Sequence, residues 1–375
     1  MSNNIDLAQP LANDSKGRNR QIDVMLAIGI ISVVFGHINS SAPLFHYLFF
    51  PPYAYHIPLF FFISGYLFKP QSKMPDKGKS ILKKIRTQLI PYHALAIIFA
   101  VLTVLLKKIS INLGTGFSWQ TILFDGFLNN NTYKLFGACW FLFTLFFINV
   151  LAIMLYQKKK WIDVTIAILT LPLMVYMIKY FSLPESMVLA KYIPFIGKMS
   201  IGFLFFSGGY VFKIFENKIK KYLLRPITVV IIFFAVLLIF QITGNKIYDI
   251  AALNFGQEEN RELLNILTTF GIIFILYIIG YHVANIVNGN SVFWIISENT
   301  FSIMAWHFTF FLLTNFILFQ LGIVEYDNLS NVRYINSPEK FMLLYQTVGI
   351  FGSVLLSVGY KKMRRWIWNN IFKLI

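Results

Sequence analysis

A single cysteine, Cys139, stands among 375 residues, which excludes an intramolecular disulfide and any cysteine-based metal site. It reads as a small core side chain and leaves the redox compartment open. Charge is scarce as well: 13% of the residues are Asp, Glu, Lys or Arg, and 16 of these are acidic against 33 basic. A chain so poor in charge lacks the surface of a soluble globular domain, which excludes most cytosolic enzymes. No internal repeat or low-complexity tract is visible, which argues against a transporter assembled from inverted halves. No small-residue cleavage site follows the first apolar run, so that run is expected to remain as a membrane helix.

What the chain does contain is apolar and aromatic, with 57% hydrophobic residues, 40 Phe, 19 Tyr, 7 Trp and a mean hydropathy of +0.64. Runs of the roughly 20 residues that cross a ~30 Å bilayer core recur from Ile22 nearly to the C-terminus. The pattern predicts ten spans, near 22–41, 52–68, 88–106, 138–156, 161–178, 198–214, 226–243, 263–287, 300–322 and 341–359. The fold class is therefore all-α: a polytopic membrane protein of about ten transmembrane helices. Its transmembrane domain covers 22–359, between an N-terminal tail of residues 1–21 and a basic C-terminal tail of 360–375.

An even number of spans puts both termini on one side. With that side inside, inner segments hold 23 of the 33 basic residues against seven acidic ones, and outer segments hold ten against nine. The positive-inside rule then places both tails and the 69–86 loop in the cytoplasm. The net charge of +17 needs no nucleic acid partner, because anionic lipid headgroups account for most of it and leave room for one anionic cytosolic ligand. The longest outer connections, at 107–137, 179–197, 244–262 and 323–340, carry Trp119 and Asn129, Asn130 and Asn131, groups suited to stacking on and hydrogen-bonding a sugar.

Chemistry at membrane depth requires polar side chains there, and few exist. His37 ends the run Ile31-Ser32-Val33-Val34-Phe35-Gly36-His37, His56 precedes Pro58-Leu59-Phe60-Phe61-Phe62-Ile63-Ser64-Gly65-Tyr66, and His307 ends Ser302-Ile303-Met304-Ala305-Trp306-His307. Asp23 lies fourteen residues before His37, about 21 Å along a helix, and cannot orient it directly. No two of the three histidines have metal-ligand spacing, so no metal site is expected.

Taken in order, these residues resemble the integral membrane acyltransferases of acyltransferase family 3, which include cell-surface polysaccharide and lipopolysaccharide O-acetyltransferases. Arg20-Gln21-Ile22-Asp23 with Val33 to His37 is similar to the family's first-helix signature, and Pro58 to Tyr66 to its Phe-rich Ser-Gly motif. Lys83-Lys84-Ile85-Arg86 before Leu89-Ile90-Pro91-Tyr92 resembles its basic cytosolic motif. Trp140-Phe141-Leu142 resembles the start of its fourth helix, and Ser302 to His307 its late helix carrying a histidine. Two departures point to a divergent branch resembling the fucose 4-O-acetylase or adhesin-locus type. Leu26 stands eleven residues before His37 where many members have Arg, and Lys83 opens a motif that is often Arg-x-x-Arg. Lys meets a phosphate as a point charge, without the guanidinium fork.

The resemblance implies a bacterial cytoplasmic-membrane enzyme that transfers an acyl group, acetyl in the expected case, from acetyl-CoA or another acyl-CoA to a hydroxyl of a cell-surface or lipid-linked saccharide. An imidazole, whose ordinary pKa is ~6.5, can take the hydroxyl proton or carry the acyl group at neutral pH. His37 is the expected catalytic residue. Lys83, Lys84 and Arg86 are expected to hold the donor's phosphates, and Asp23, His56, Ser64, Trp140 and His307 to support substrate or site. The rival readings are an exporter of a glycan or metabolite, with His37 and His307 as relay groups, and a non-catalytic partner in glycan assembly.

Overall fold

The computed structural model describes residues 18–38, 50–114, 116–125, 133–180, 193–242, 262–287, 291–332 and 338–367. Asn129, Asn130 and Asn131 lie outside the described residues. The α-helices are α1 (Arg20–Ile38), α2 (His56–Tyr66), α3 (Met74–Lys84), α4 (Ile90–Lys107), α5 (Trp140–Leu155), α6 (Lys160–Tyr180) and α7 (Ile193–Leu223). They continue with α8 (Pro226–Ile242), α9 (Glu262–Ile286), α10 (Val292–Glu298), α11 (Thr300–Gln320), α12 (Pro338–Thr347) and α13 (Ser353–Ile367). Each of the ten expected spans falls on one or two of these helices. Among the described residues, six helices are long and apolar enough to cross a membrane: Arg20–Ile38, Met74–Lys107, Phe195–Leu223, Leu263–Ile286, Thr300–Gln320 and Lys340–Trp366. Two shorter apolar helices, Trp140–Leu155 and Pro226–Ile242, accompany them.

Two elements differ from the pattern read in the sequence. The span expected over 88–106 is the far part of a 34-residue rod, Met74–Lys107, whose basic first third is helical as well. Pro75 is tolerated in the first turn of α3, where no intrahelical partner is lost. Pro91 has no N–H and its ring crowds the carbonyl one turn back, and the rod absorbs this in a π turn over Ile85–Leu89, with Ile90 N–H bonded to the Ile85 carbonyl. The second difference is α2, eleven residues long and too short to cross a bilayer alone. Its side chains are buried except for Ser64 at the margin, so it lies within the bundle and not against lipid.

Glycine lets α2 in. A Cβ on Gly65 would overlap the Phe206 carbonyl of α7, and one on Gly209 of α7 would overlap the Phe62 carbonyl of α2. The two backbones therefore touch at reciprocal glycines, the close approach that small residues permit between membrane helices. Gly65→Ala or Gly209→Ala should lower the thermal midpoint of the purified protein by several degrees while leaving the rate per folded molecule within about twofold, since overpacking strains the α2–α7 contact and touches no histidine. An unchanged midpoint would show that the helices part without penalty.

At one end of the bundle the basic segments gather. Glu216 of α7 accepts hydrogen bonds from Tyr66 of α2 (2.7 Å), Tyr277 of α9 (2.7 Å) and Lys213 (2.8 Å), which joins three helices at one carboxylate. Lys77 of α3 reaches the Met154 carbonyl at the end of α5 (2.9 Å), and Lys361 of α13 donates to Asn299 (3.0 Å), between α10 and α11. Arg20 lies 6.0 Å from the Trp294 ring of α10. Thus α1 first passes α10 and meets α11 only further along.

Candidate active site

The α1 helix carries His37 in its last turn, where the carbonyl end of the helix dipole favours a positive charge. There His37 meets α11. Its ring lies parallel to that of His307, with centroids 5.5 Å apart and planes at 16°, although 270 residues separate them in the chain. His307 stands seven residues from the basic-end start of α11 and thirteen from its other end, about 10 Å and 20 Å along the axis. The terminus of α1 therefore lies within the bundle rather than at its outer mouth. His307 is fully buried and His37 half-buried.

Hydrogen bonding fixes where each proton sits. His307 Nδ1 lies 2.8 Å from the Ile303 carbonyl, which can only accept, so Nδ1 carries the proton and the lone pair is on Nε2. Tyr53 gives its hydroxyl proton to the Gly36 carbonyl (2.9 Å), and its oxygen is then left to accept from His37 Nδ1 at 3.4 Å. His37 likewise presents Nε2 as its basic nitrogen. Tyr53 gets close because Gly36 has no side chain: a Cβ there would meet the Tyr53 ring at 3.3 Å and Pro52 at 3.4 Å. The turn Pro52–Ala54 aims Tyr53, and Phe50 enters it at φ 52°, a left-handed conformation that a bulky residue seldom adopts.

Around the pair the walls are aromatic. Phe308, fully buried, has its ring 4.8 Å from His37 and 4.2 Å from His307. Phe311 meets His307 edge-on at 5.6 Å. On the other side of α11, Trp306 packs on Phe99 of α4 at 5.0 Å. Phe99 is thirteen residues beyond Arg86 on the same rod, about 20 Å along it, so the rod runs from the basic rim to the neighbour of His307.

Of the residues singled out in the sequence, the structure brings His37 and His307 into contact and sets His56 beside them through Tyr53, whose ring is 5.2 Å from that of His56. His56 Nδ1 is bonded to the Pro52 carbonyl at 2.5 Å, which ties down the same turn. Lys83 and Arg86 are exposed and Lys84 is half-buried, at the basic end. Asp23 is held by Arg18 at that end, with Arg18 also 3.1 Å from Glu298, and is not at the histidines. The Ser64 hydroxyl donates to the Phe60 carbonyl of its own helix (2.8 Å). Trp140 lies under the Lys198 ammonium at 4.3 Å. Trp119 is exposed beside Phe117. Among the described residues, no three His, Cys, Asp or Glu side chains group as a metal site. Sequence reasoning missed Tyr53 and Phe308. The Pro51-Pro52 pair was a signal for a rigid turn presenting Tyr53, whereas nothing in the sequence marks Phe308 among 40 phenylalanines.

Comparison with known proteins bears on this arrangement in one way. The family model of acyltransferase family 3, described as an acyltransferase domain, matches residues 19–372. No curated protein and no solved structure matches the chain.

Proposed function

The chain belongs to acyltransferase family 3 and is a membrane acyltransferase, and on that premise we propose that it moves an acyl group from acyl-coenzyme A to a hydroxyl of an extracytoplasmic or lipid-linked glycan. The observation that carries the reading is the stacked imidazole pair, His37 on His307, inside an apolar bundle. His37 Nε2 takes the hydroxyl proton as the oxygen attacks the thioester carbonyl carbon. The carbon–sulfur bond then breaks, and the imidazolium returns the proton to the departing sulfur. Two features favour the positive charge that His37 holds in between: the carbonyl end of α1 and the ring of His307, parallel at 5.5 Å.

The donor is made in the cytosol and carries several phosphates, which the cationic side chains of Lys83, Lys84 and Arg86 suit at the rim. From the same charge distribution we place both chain termini and the 69–86 segment on the cytoplasmic side of a bacterial cytoplasmic membrane. The roughly 20 Å from Arg86 to Phe99 sets how far the donor's arm must reach.

The decisive experiment incubates purified protein with acyl-coenzyme A and glycan and follows free thiol and the mass of the glycan. Thiol release with a gain of one acyl group per site is expected; glycan crossing vesicle membranes unmodified would mean an exporter instead. In the same assay, replacing Lys83, Lys84 and Arg86 together by Gln should raise KM for the donor about 5- to 10-fold with kcat nearly unchanged, because ground-state phosphate contacts are lost. An unchanged KM at lower protein abundance would limit these residues to membrane insertion.

A further inference from the structure

We propose that Phe308 sets the length of the transferred acyl group and restricts the enzyme to a two-carbon donor. The inference rests on the transfer chemistry proposed for His37. Phe308 packs against both imidazoles, at 4.8 Å from His37 and 4.2 Å from His307, and is wholly buried. Its ring has nowhere to swing. Phe311 stands edge-on to it at 6.1 Å, and Tyr345 of α12 backs Phe311 at 5.6 Å, both buried. A Cβ on Gly349, in the π turn after α12, would already crowd Phe311 at 2.7 Å, so that layer has no slack.

During transfer the hydroxyl oxygen bonds to the thioester carbonyl carbon as its proton passes to His37 Nε2, and the sulfur leaves with that proton. The attacking oxygen is within hydrogen-bond reach of Nε2, about 3 Å, and about 3–3.5 Å from the carbonyl carbon. The acyl tail starts at that carbon, in an apolar site whose fixed wall against both imidazoles is the Phe308 ring. A methyl group rests on such a wall. Each further methylene needs volume that the ring fills, and a close-packed interior does not yield it cheaply.

The test compares initial rates with acetyl-, propionyl- and butyryl-coenzyme A for wild type, Phe308→Ala and Phe308→Leu at equal protein abundance. With about 10-fold discrimination per methylene, wild type should prefer acetyl to butyryl by about 100-fold. Phe308→Ala should reduce that ratio at least about 10-fold, through faster butyryl transfer, with Phe308→Leu intermediate. Should Phe308→Ala not accumulate, the Leu variant decides alone. A wild type indifferent to chain length, or variants that slow all three donors equally, overturns the proposal and leaves the transfer chemistry standing. Failure of that chemistry looks different: wild type transfers no acyl group from any donor, or His37→Gln retains full rate, and the role of Phe308 falls with it.

Discussion

His37→Ala should leave the protein inserted and abundant while slowing acyl transfer by ~10²-fold or more, the scale for losing a positioned proton-transfer group. The prediction follows from geometry: His37 is half-buried at the terminus of α1, with its Nδ1 3.4 Å from the Tyr53 hydroxyl and its ring beside those of His307 and Phe308. His37→Gln retains part of the size and a hydrogen-bonding amide for Tyr53 but no group that titrates near neutral pH, so it separates chemistry from packing. At equal abundance a catalytic His37 makes Gln as slow as Ala. If Gln restores the rate toward wild type, His37 only packs helices and the base is another group. Loss should appear in kcat and in kcat/KM alike, since the proton moves only as the bond forms.

How much of this was legible in the sequence depended on whether the cause was local. Apolar runs follow from what a bilayer requires of each segment, so they located the longer apolar helices that the structure contains. The length of α2 was not legible, because its eleven residues are buried by α7 through Gly65 and Gly209, and an apolar run looks the same against lipid or against protein. The helical path of 74–86 was masked by its charges, which exclude it from the bilayer but not from a helix. At the site, each histidine stood out by its isolation among apolar residues. Their partnership did not, since the contact joins the end of α1 to the first third of α11 and no periodicity spans that gap. Asp23, Ser64 and Trp140 were as prominent in the motifs as His37, and only their partners, Arg18, Phe60 and Lys198, separate them from the histidine pair.

The same stack makes the contribution of His307 measurable. His307 donates Nδ1–H to the Ile303 carbonyl, and its ring, parallel to that of His37, stabilises a single positive charge there. His307→Gln should therefore lower kcat roughly 30-fold, the equivalent of ~2 kcal/mol for a desolvated cation over a ring, with KM for both substrates nearly unchanged. Combining it with His37→Gln distinguishes two ways for His307 to act. If His307 works through His37, the double variant is no slower than His37→Gln alone, because no imidazolium remains to be stabilised. If His307 instead binds the acceptor, the two losses multiply and KM for the glycan rises in the single variant. Finding His307→Gln inactive while His37→Gln remains active would transfer the base from α1 to α11.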